Sequence, residues 1–333
     1  MRVGGVALHI LVVGGAGYVG SHAVKALLEA GHTVAVLDNL SKGHRWAVPA
    51  AARFVEGDIQ DGAFVKKLLR AEAPAAVMHF AADSLVGESM AEPARYYRNN
   101  IAGTLSLLVA MRETGVAQFV FSSTAAVYGE PAQWPITEDF PLGPTNVYGR
   151  TKLAVEWMLA DFAAAYGLRY VSLRYFNAAG AQPDGSIGED HNPETHLIPL
   201  ILAAALGRRD CAQIFGTDYP TPDGTCIRDY VHVTDLATAH VLAVEHLGRG
   251  GGSKVYNLGS ETGFSVRQVI ERAKDVTGVD FPVREAPRRP GDPAVLVASS
   301  ARIRNELGWR PVLSDLATII STAWKWHKSR QGG

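Results

Sequence analysis

Ile10-Leu11-Val12-Val13-Gly14-Gly15-Ala16-Gly17-Tyr18-Val19-Gly20 joins a short apolar run to a turn with three spaced glycines. The run has the length of a buried strand, and a helical pattern over 21–30, ended by Gly31, follows the turn. Glycines at these spacings let the backbone turn sharply and approach a pyrophosphate, which the N-terminus of the helix then stabilises. The spacing also fits a glycine-rich turn without a ligand, so the predicted dinucleotide site depends on the rest of the sequence.

The alternation of strand and helix continues through the first half of the chain. Further strands are expected at 33–37, 76–80, 119–122 and 170–173, and helices at 62–71, 94–113 and 151–166. Alternation at this spacing predicts an α/β fold with a Rossmann-type, doubly wound parallel sheet.

Asp38 follows the second predicted strand, 18 residues after the last glycine of the turn. A carboxylate there accepts the ribose hydroxyls of a dinucleotide and repels a 2′-phosphate, so NAD is expected rather than NADP. Asp58 is taken to close a third strand, between the strand at 33–37 and the helix at 62–71, and is expected near the adenine. Residues 8–176 are therefore predicted to form an NAD-binding Rossmann domain.

Prolines and scattered glycines change the character of the chain from about Asn177 onward. Over 177–330 we expect loops and short elements mounted on the sheet. They would form a smaller C-terminal α/β region for the substrate, with segments that can return to the sheet.

The bulk composition limits the partners of the protein. The chain has 333 residues, 47% hydrophobic residues and a formal net charge of −1, which gives no reason to expect nucleic acid or an anionic membrane. No apolar stretch reaches the roughly 18 residues of a membrane span, and the first eight residues lack the pattern of a signal peptide. Cys211 and Cys226 are the only cysteines, so we expect no disulfide framework and a cytoplasmic location.

Tyr148 and Lys152 stand four residues apart, so they share one face at the start of a predicted helix. A free tyrosine has a pKa of about 10, and bringing it near 7 takes about 4 kcal/mol. A cation about 4–5 Å away supplies about 3–4 kcal/mol at an effective dielectric constant near 20, and an oxidised nicotinamide adds positive charge. These magnitudes predict that Tyr148 can act as a general base.

Chance also produces this spacing, with the tyrosine packed under a helix and the lysine in solvent. Two features favour a redox centre instead: the glycine turn, and the strand end Phe121-Ser122-Ser123-Thr124-Ala125-Ala126, which carries hydroxyl groups. Thr124 is expected to hydrogen-bond the same substrate hydroxyl and to pass on its proton.

In these motifs the chain resembles the extended short-chain dehydrogenase/reductase superfamily, and over nearly its whole length it is similar to the UDP-glucose 4-epimerase family. The resemblance implies tightly held NAD and a catalytic set of Tyr148, Lys152 and Thr124, in which Tyr148 takes the proton of the sugar 4-hydroxyl. A transient 4-keto sugar would receive hydride on its other face, which interconverts UDP-galactose and UDP-glucose. Cofactor contacts would carry over to Gly14, Gly17, Tyr18, Val19, Gly20, Asp38, Asn39, Asp58, Ile59, Phe80, Ala81, Ala82, Asn99, Ser122, Tyr148, Lys152 and Phe176.

The resemblance also implies a binding site for a UDP-sugar. Asn177 would contact the substrate phosphate, while Arg228 and Arg289 would flank the diphosphate with guanidinium groups, which match phosphate oxygens bidentately. Asp292 would accept the uridine ribose hydroxyls. The remaining positions would line the uracil pocket (Gln213, Ile214, Phe215, Val266) or the substrate loop (His196, Leu197). A homodimer through the helices at 94–113 and 151–166 is implied as well.

Three positions depart from the family pattern. Ala82-Asp83-Ser84 replaces the Gly-Leu-Lys of many members, which removes one cationic contact to the cofactor. His196 stands where asparagine is common, so a hydrogen-bonding role and a structural role are both open. Leu296 stands at a position where a large tyrosine correlates with exclusion of N-acetylated sugars and a small cysteine correlates with their acceptance. Leucine is intermediate in size, so activity on N-acetylated sugars is left open.

Other functions were weighed against these residues. A sugar-nucleotide 4,6-dehydratase carries Thr-Asp-Glu where this chain has Thr124-Ala125-Ala126, which lacks the acid and base for elimination. Epimerases of UDP-N-acetylglucosamine, UDP-glucuronate or UDP-xylose remain open. A non-catalytic NAD-binding protein would be expected to have lost Tyr148 or Lys152. The histidines show no HExxH or paired ligand spacing, so no metal site is expected.

Overall fold

A computed structural model describes residues 7–289 and 292–330. Residues 1–6, which carry most of the segment behind the signal-peptide expectation, lie outside the described residues. So do Pro290 and Gly291, which follow the predicted phosphate ligand Arg289.

The strands are β1 (His9–Val13), β2 (Thr33–Asp38), β3 (Arg53–Glu56), β4 (Ala76–His79), β5 (Gln118–Ser122), β6 (Arg169–Tyr175), β7 (Asn177–Ala179), β8 (Ala212–Phe215), β9 (Ile227–Arg228), β10 (Tyr230–His232), β11 (Lys254–Leu258), β12 (Phe264–Ser265), β13 (Val283–Ala286) and β14 (Val295–Leu296).

The helices are α1 (Tyr18–Glu29), α2 (Gly62–Glu72), α3 (Val86–Ala91), α4 (Pro93–Tyr96), α5 (Thr104–Thr114), α6 (Val147–Tyr166), α7 (Leu197–Ala205), α8 (Val233–Gly248), α9 (Val266–Thr277), α10 (Ala301–Leu307) and α11 (Leu316–Ser329). Within the described ranges, no helix combines the length and the apolarity needed to cross a membrane.

A seven-stranded parallel sheet forms the centre of the molecule, in the order β11-β6-β5-β4-β1-β2-β3. The chain runs from β1 outward to β3 and then returns to place β4 on the other side of β1. The strand order therefore reverses between β1 and β4, and ligands of doubly wound sheets bind at the carboxyl ends of the strands at such a point. The predicted sheet is confirmed, although β3 ends at Glu56, two residues before Asp58.

Two apolar cores cover the two faces of the sheet. On one face, α1 and α8 pack through residues such as Leu27 and Val244, both fully buried. On the other face, α2, α5 and α6 pack through residues such as Leu107 and Leu159. Burial of both faces explains why the strands are continuous apolar runs rather than alternating patterns.

The second half of the chain contains more helix than expected. Instead of loops and short elements, it forms α7, α8, α9 and α11, which are 9–16 residues long. Three of these helices enclose a third apolar core around Ile201, Val269 and Ile319. The prolines misled the prediction because Pro199 lies in the first turn of α7, where its missing N–H costs no helical hydrogen bond. Strand β11 returns to the sheet and pairs with β6.

The predicted helix at 94–113 is present with an interruption. Tyr97–Gly103 forms a π-helical segment between α4 and α5. Such segments insert an extra residue per turn and are common at functional sites. Here the segment carries two asparagines, Asn99 and Asn100, near the carboxyl end of β4.

Candidate active site

The glycine turn lies at the point where the strand order reverses. Gly14 has a φ of +81°, and a Cβ there would overlap with the backbone nitrogen of Ala81, just beyond the end of β4. A Cβ on Gly20 would overlap with the backbone oxygen of Gly14, so both positions require glycine. Helix α1 begins at Tyr18, directly after its N-cap residue Gly17, which provides no side-chain cap and leaves the N–H groups of the first turn available. This bare backbone cradle fits the pyrophosphate of a dinucleotide.

Asp38 closes β2, and its carboxylate is held by backbone N–H groups. Oδ2 accepts a hydrogen bond from Ala16 and Oδ1 accepts one from Leu40, both at 2.9 Å. Burial raises the pKa of Asp38. Asn39 donates to Asp58 at 3.0 Å, so these three predicted cofactor residues meet at the ends of β2 and β3.

Other predicted cofactor residues lie at or just after the ends of other strands. Since the carboxyl ends of parallel strands share one edge of a sheet, the structure places them along the same edge as the glycine turn (Phe80, Ala81 and Ala82 after β4, Ser122 at the end of β5, Phe176 after β6). Tyr18 is the first residue of helix α1. Its hydroxyl donates to the backbone oxygen of Gly180 at 2.6 Å and is thereby engaged within the protein.

Asn100 connects the loop after β4 to helix α6. Its Oδ1 accepts from the backbone N–H of Asp83 at 2.9 Å, and its Nδ2 donates to Thr151 at 3.0 Å. Sequence reasoning named the neighbouring Asn99 as a cofactor contact and missed Asn100, because nothing in the sequence pairs residue 100 with residue 151.

The family departure at 82–84 has a structural explanation. Asp83 is buried and forms an ion pair with Arg95, with the nearest atoms 2.6 Å apart. The acidic residue therefore anchors the loop after β4 to α4, close to the position where other members carry a lysine.

Helix α6 begins at Val147, four residues earlier than predicted. The side chain of Asn146 accepts a hydrogen bond from the N–H of Gly149 at 2.8 Å, which is a standard N-terminal cap. Tyr148 therefore lies in the first turn of the helix, and Lys152 follows one turn later on the same face.

The structure brings the three predicted catalytic residues together. The ammonium of Lys152 lies 5.9 Å from the centre of the Tyr148 ring and donates to the backbone oxygen of Ser122 at 2.8 Å. The Tyr148 side chain hydrogen-bonds Thr124. The hydroxyl of Thr124 also accepts from the N–H of Ala126 at 3.1 Å, which fixes its position.

The pKa values correct the sequence-based charge arithmetic. Burial raises the pKa of Tyr148 to about 12, against the opposing effect of the hydrogen bond with Thr124. Burial also lowers the pKa of Lys152 to about 7, although Glu156 opposes that shift. The prediction considered the charge of Lys152 but not the desolvation of Tyr148 and Lys152. In the protein alone, desolvation is the larger of the two effects on the pKa values.

A buried polar network beneath this pair was missed from the sequence. The hydroxyl of Tyr175 lies 2.6 Å from that of Ser122, and burial raises the pKa of Tyr175. Below them, Glu156 accepts from Ser123 at 2.5 Å and forms a bidentate ion pair with Arg174. The signal that could have found this network is Glu156, a charged residue four positions after Lys152 on the same helix face.

Several predicted substrate residues lie on or beside the short strands β8, β9 and β14, outside the central sheet. Arg228 on β9 forms an ion pair with Asp292, although the sequence assigned the two to different parts of the nucleotide. The guanidinium of Arg289 lies 4.0 Å above the ring of Phe215. Leu296 on β14 is aligned with Arg228. The expected uracil residues lie on β8 and at the start of α9 (Gln213, Ile214, Phe215, Val266).

Asn177, on β7, and His196, just before α7, are each hydrogen-bonded within the protein. Asn177 donates to the backbone oxygen of Asp229 at 2.8 Å. His196 precedes Leu197, the first residue of α7, and its Nδ1 lies 2.8 Å from carboxylate oxygens of both Glu189 and Glu194. These two carboxylates raise the pKa of His196 to about 10 against the effect of burial, so it is protonated at neutral pH.

The turn at the strand reversal, the carboxylate closing β2 and the buried Tyr148–Lys152 pair are together typical of a nicotinamide-dependent enzyme.

Comparisons with known proteins agree with this class. Residues 10–259 match the NAD dependent epimerase/dehydratase family. A UDP-glucose 4-epimerase of Halalkalibacterium halodurans is 55% identical over 324 residues, covering 97% of each chain. The crystal structure of UDP-glucose 4-epimerase from Brucella ovis in complex with NAD is 54% identical with a TM-score of 0.93, covering 96% of this chain and 98% of that one. The enzyme of Bifidobacterium longum in complex with NAD+ and UDP is 37% identical with a TM-score of 0.91, covering 98% and 99%. The chain belongs to the NAD dependent epimerase/dehydratase family.

Proposed function

We propose that this protein is a UDP-glucose 4-epimerase that binds NAD and interconverts UDP-galactose and UDP-glucose. The observation that carries the proposal is the grouping of Tyr148, Thr124 and Lys152 next to the strand reversal that holds the glycine turn. The near-full-length similarity to UDP-glucose 4-epimerases supports the same activity.

The glycine turn, Asp38 and the residues at the ends of β4 and β5 would hold the cofactor. When bound, NAD supplies a hydride acceptor and donor and, in its oxidised form, a positive charge near the phenol. The protein's own part is to move one proton. Tyr148 takes it from the sugar 4-hydroxyl and later returns it, while Thr124 hydrogen-bonds the phenol oxygen.

The charge near Tyr148 decides whether it can act as a base. Moving its pKa from about 12 to about 7 takes about 7 kcal/mol, which exceeds the 3–4 kcal/mol or so that a single nearby cation supplies. Lys152 alone is therefore insufficient, and its low pKa shows that it also needs a neighbouring negative charge to stay protonated. A phenolate at Tyr148 is that negative charge, so the two groups ionise as a pair.

Dehydration of the sugar is disfavoured by the residues after Thr124. Elimination needs an acid and a base, and Ala125 and Ala126 offer neither. Ala125–Tyr128 forms a short 3₁₀ turn that Thr124 caps, so these positions serve the backbone. Return of the hydride to C4 and of the proton to the oxygen on C4 is the outcome that these residues support.

The nucleotide end supports a UDP-sugar as substrate. Arg228 and Arg289 are close enough for both to affect the Cys226 thiol electrostatically, and guanidinium groups suit a diphosphate. Leu296 packs with Phe176 against the 3₁₀ turn that follows Thr124. UDP-N-acetylglucosamine, UDP-glucuronate and UDP-xylose are the alternative substrates.

One experiment separates these substrates. Purified protein is incubated with UDP-galactose, UDP-glucuronate, UDP-xylose and UDP-N-acetylgalactosamine, and the epimers are resolved by chromatography. We expect conversion of UDP-galactose to UDP-glucose. Turnover of another sugar without turnover of UDP-galactose would overturn the substrate assignment and leave the epimerase mechanism intact.

We also propose a homodimer and a cytoplasmic location. Leu105 and Val109 on α5 and Trp157 on α6 are large apolar side chains, 40%, 39% and 61% exposed, on adjacent helices. If these helices meet a second copy, Trp157→Glu should halve the mass measured by light scattering, whereas Trp134→Glu, at another exposed tryptophan, should not.

The buried and unpaired Cys211 and Cys226 agree with a reducing compartment.

A further inference from the structure

Two histidines and two glutamates converge in the segment between β7 and α7. Glu189, His191, Glu194 and His196 each offer one ligand atom, and these atoms all lie within 4.8 Å of one another. The Nδ1 atom of His196 is 2.8 Å from oxygens of both glutamates. The Nδ1 atom of His191 is 3.0 Å from Glu189 and 3.9 Å from Glu194.

We propose that these four residues form a binding site for a divalent metal ion of the zinc type. In a tetrahedral zinc site with bonds of about 2.0–2.1 Å, ligand atoms stand about 3.3 Å apart. Four nitrogen-to-oxygen separations lie between 2.8 and 3.9 Å, and all four ligand atoms lie within 4.8 Å of one another, so the side chains need to move by only about 1 Å for an ion to enter. Two imidazoles with two carboxylates suit zinc better than magnesium, which prefers oxygen ligands alone.

The charge of the cluster also suits a dication. Two carboxylates facing two neutral imidazoles carry a charge of −2, which a divalent ion neutralises. An imidazole nitrogen binds a metal ion only when it is unprotonated, so the affinity for the ion should fall as the pH is lowered.

Further hydrogen bonds hold the Glu194 carboxylate and the Glu189 backbone in place. One oxygen of Glu194 accepts from the backbone N–H groups of Thr195 and His196 at 2.7 and 2.8 Å. The backbone oxygen of Glu189 accepts from the indole of Trp326 at 2.9 Å, and the Glu189 side chain is only 5% exposed. Such outer contacts orient metal ligands and raise affinity.

The position of the cluster suggests what the ion does. The ring of His191 makes an edge contact with the ring of Tyr18, in the glycine turn, at 6.2 Å. His44, beyond β2, is 2.9 Å from the backbone oxygen of Asp190. With four protein ligands the ion would be structural. It would fix the segment 189–196 between the cofactor turn and α7.

The proposed site differs from the sequence-based prediction of no metal site, which rested on the lack of HExxH and of paired ligand spacings. The spacing here is Glu-x-His-x-x-Glu-x-His, in a loop rather than on one face of a helix. Only the folded loop brings the four side chains together.

The test uses untagged full-length protein dialysed against a chelator and titrated with Zn²⁺ by calorimetry. We expect one Zn²⁺ per chain and a higher melting temperature in its presence. His191→Gln and Glu194→Gln should each weaken binding by more than about tenfold, since even outer-shell changes cost 10–100-fold. His246→Gln, a matched change in the last turn of α8, should bind as the wild type does. Co²⁺ should give the visible absorption of a tetrahedral site, which His191→Gln should abolish.

Three results would overturn the proposal. The first is the absence of stoichiometric Zn²⁺ binding to the folded wild-type protein. The second is equal Zn²⁺ affinity in the wild type and in a folded His191→Gln protein. The third is equal weakening by His246→Gln. Circular dichroism of each variant establishes that it is folded, and Glu194→Gln serves if His191→Gln does not fold. The proposal does not depend on the sugar that the enzyme converts.

Discussion

The side-chain ammonium of Lys152 donates a 2.8 Å hydrogen bond to the backbone oxygen of Ser122, the last residue of β5. This contact fixes helix α6 to the carboxyl edge of the sheet and draws the lysine out of solvent, to 4% exposure. Burial then lowers the pKa of Lys152 to about 7. The same contact therefore places the ammonium of Lys152 near Tyr148 and, by burying it, destabilises the protonated form of the lysine.

The low pKa of Lys152 predicts that the free energy of unfolding depends on pH. An unfolded lysine has a pKa near 10.4, so between about pH 7 and pH 10 the unfolded chain binds more protons than the folded protein. The contribution of Lys152 to the free energy of unfolding should therefore rise as the pH increases from about 7 to about 10. Between pH 7 and pH 9, the unfolding free energy of the wild type should rise by about 2 kcal/mol more than that of Lys152→Met.

Denaturant unfolding at the two pH values measures this difference. Lys67→Met, at an exposed lysine of α2, is the control and should follow the wild type. Parallel pH dependence of the wild type and Lys152→Met would show that the folded protein does not shift the pKa of this lysine.

Thr124 is expected to contribute through its hydroxyl. Thr124→Val keeps the shape and removes the hydrogen bond to Tyr148, so kcat for UDP-galactose should fall by about 10²-fold. Thr124→Ser keeps the hydroxyl and should retain most of the activity. The valine variant also loses the cap to Ala126, which costs about 1 kcal/mol of stability, so kcat is measured well below the melting temperature. Equal activity of the two variants would exclude a role for the hydroxyl.

The glycine turn offers a matched pair of substitutions. Gly14 and Gly31 both have φ near +80 to +90°, but a Cβ meets backbone only at Gly14 and nothing within 4 Å at Gly31. Gly31→Ala should cost only the strain of positive φ, about 1–2 kcal/mol. Gly14→Ala adds the overlap with Ala81, so it should lower the free energy of unfolding by at least about 2 kcal/mol more than Gly31→Ala does. The purified Gly14→Ala protein should also contain little bound NAD. Chemical denaturation and the cofactor absorbance of the purified proteins measure both effects, and similar losses in the two variants would refute the overlap.

The sequence allowed prediction of the sheet because its signals are local. Strand-length apolar runs, the glycines after β1 and Asp38 after β2 each act within a few residues, and the structure confirms the resulting fold. The helical content after Asn177 could not be read in the same way, because prolines between helices resemble prolines within loops.

Within the candidate site, residue types were predictable and their partners were not. Tyr148 and Lys152 follow from spacing, whereas their pKa values depend on burial by segments far away in the chain. Likewise, the contact of Asn100 with Thr151 spans 51 residues, and the sequence carries no sign of it.

The central claim is that the Tyr148 hydroxyl moves the proton of the sugar. Tyr148→Phe removes only that oxygen, and its rate of UDP-galactose conversion is compared with those of the wild type and of Tyr166→Phe, at an exposed tyrosine of α6. We predict that Tyr148→Phe lowers kcat by about 10³-fold or more with the fold intact, and that Tyr166→Phe does not. Full activity of a folded Tyr148→Phe protein would contradict the mechanism proposed here.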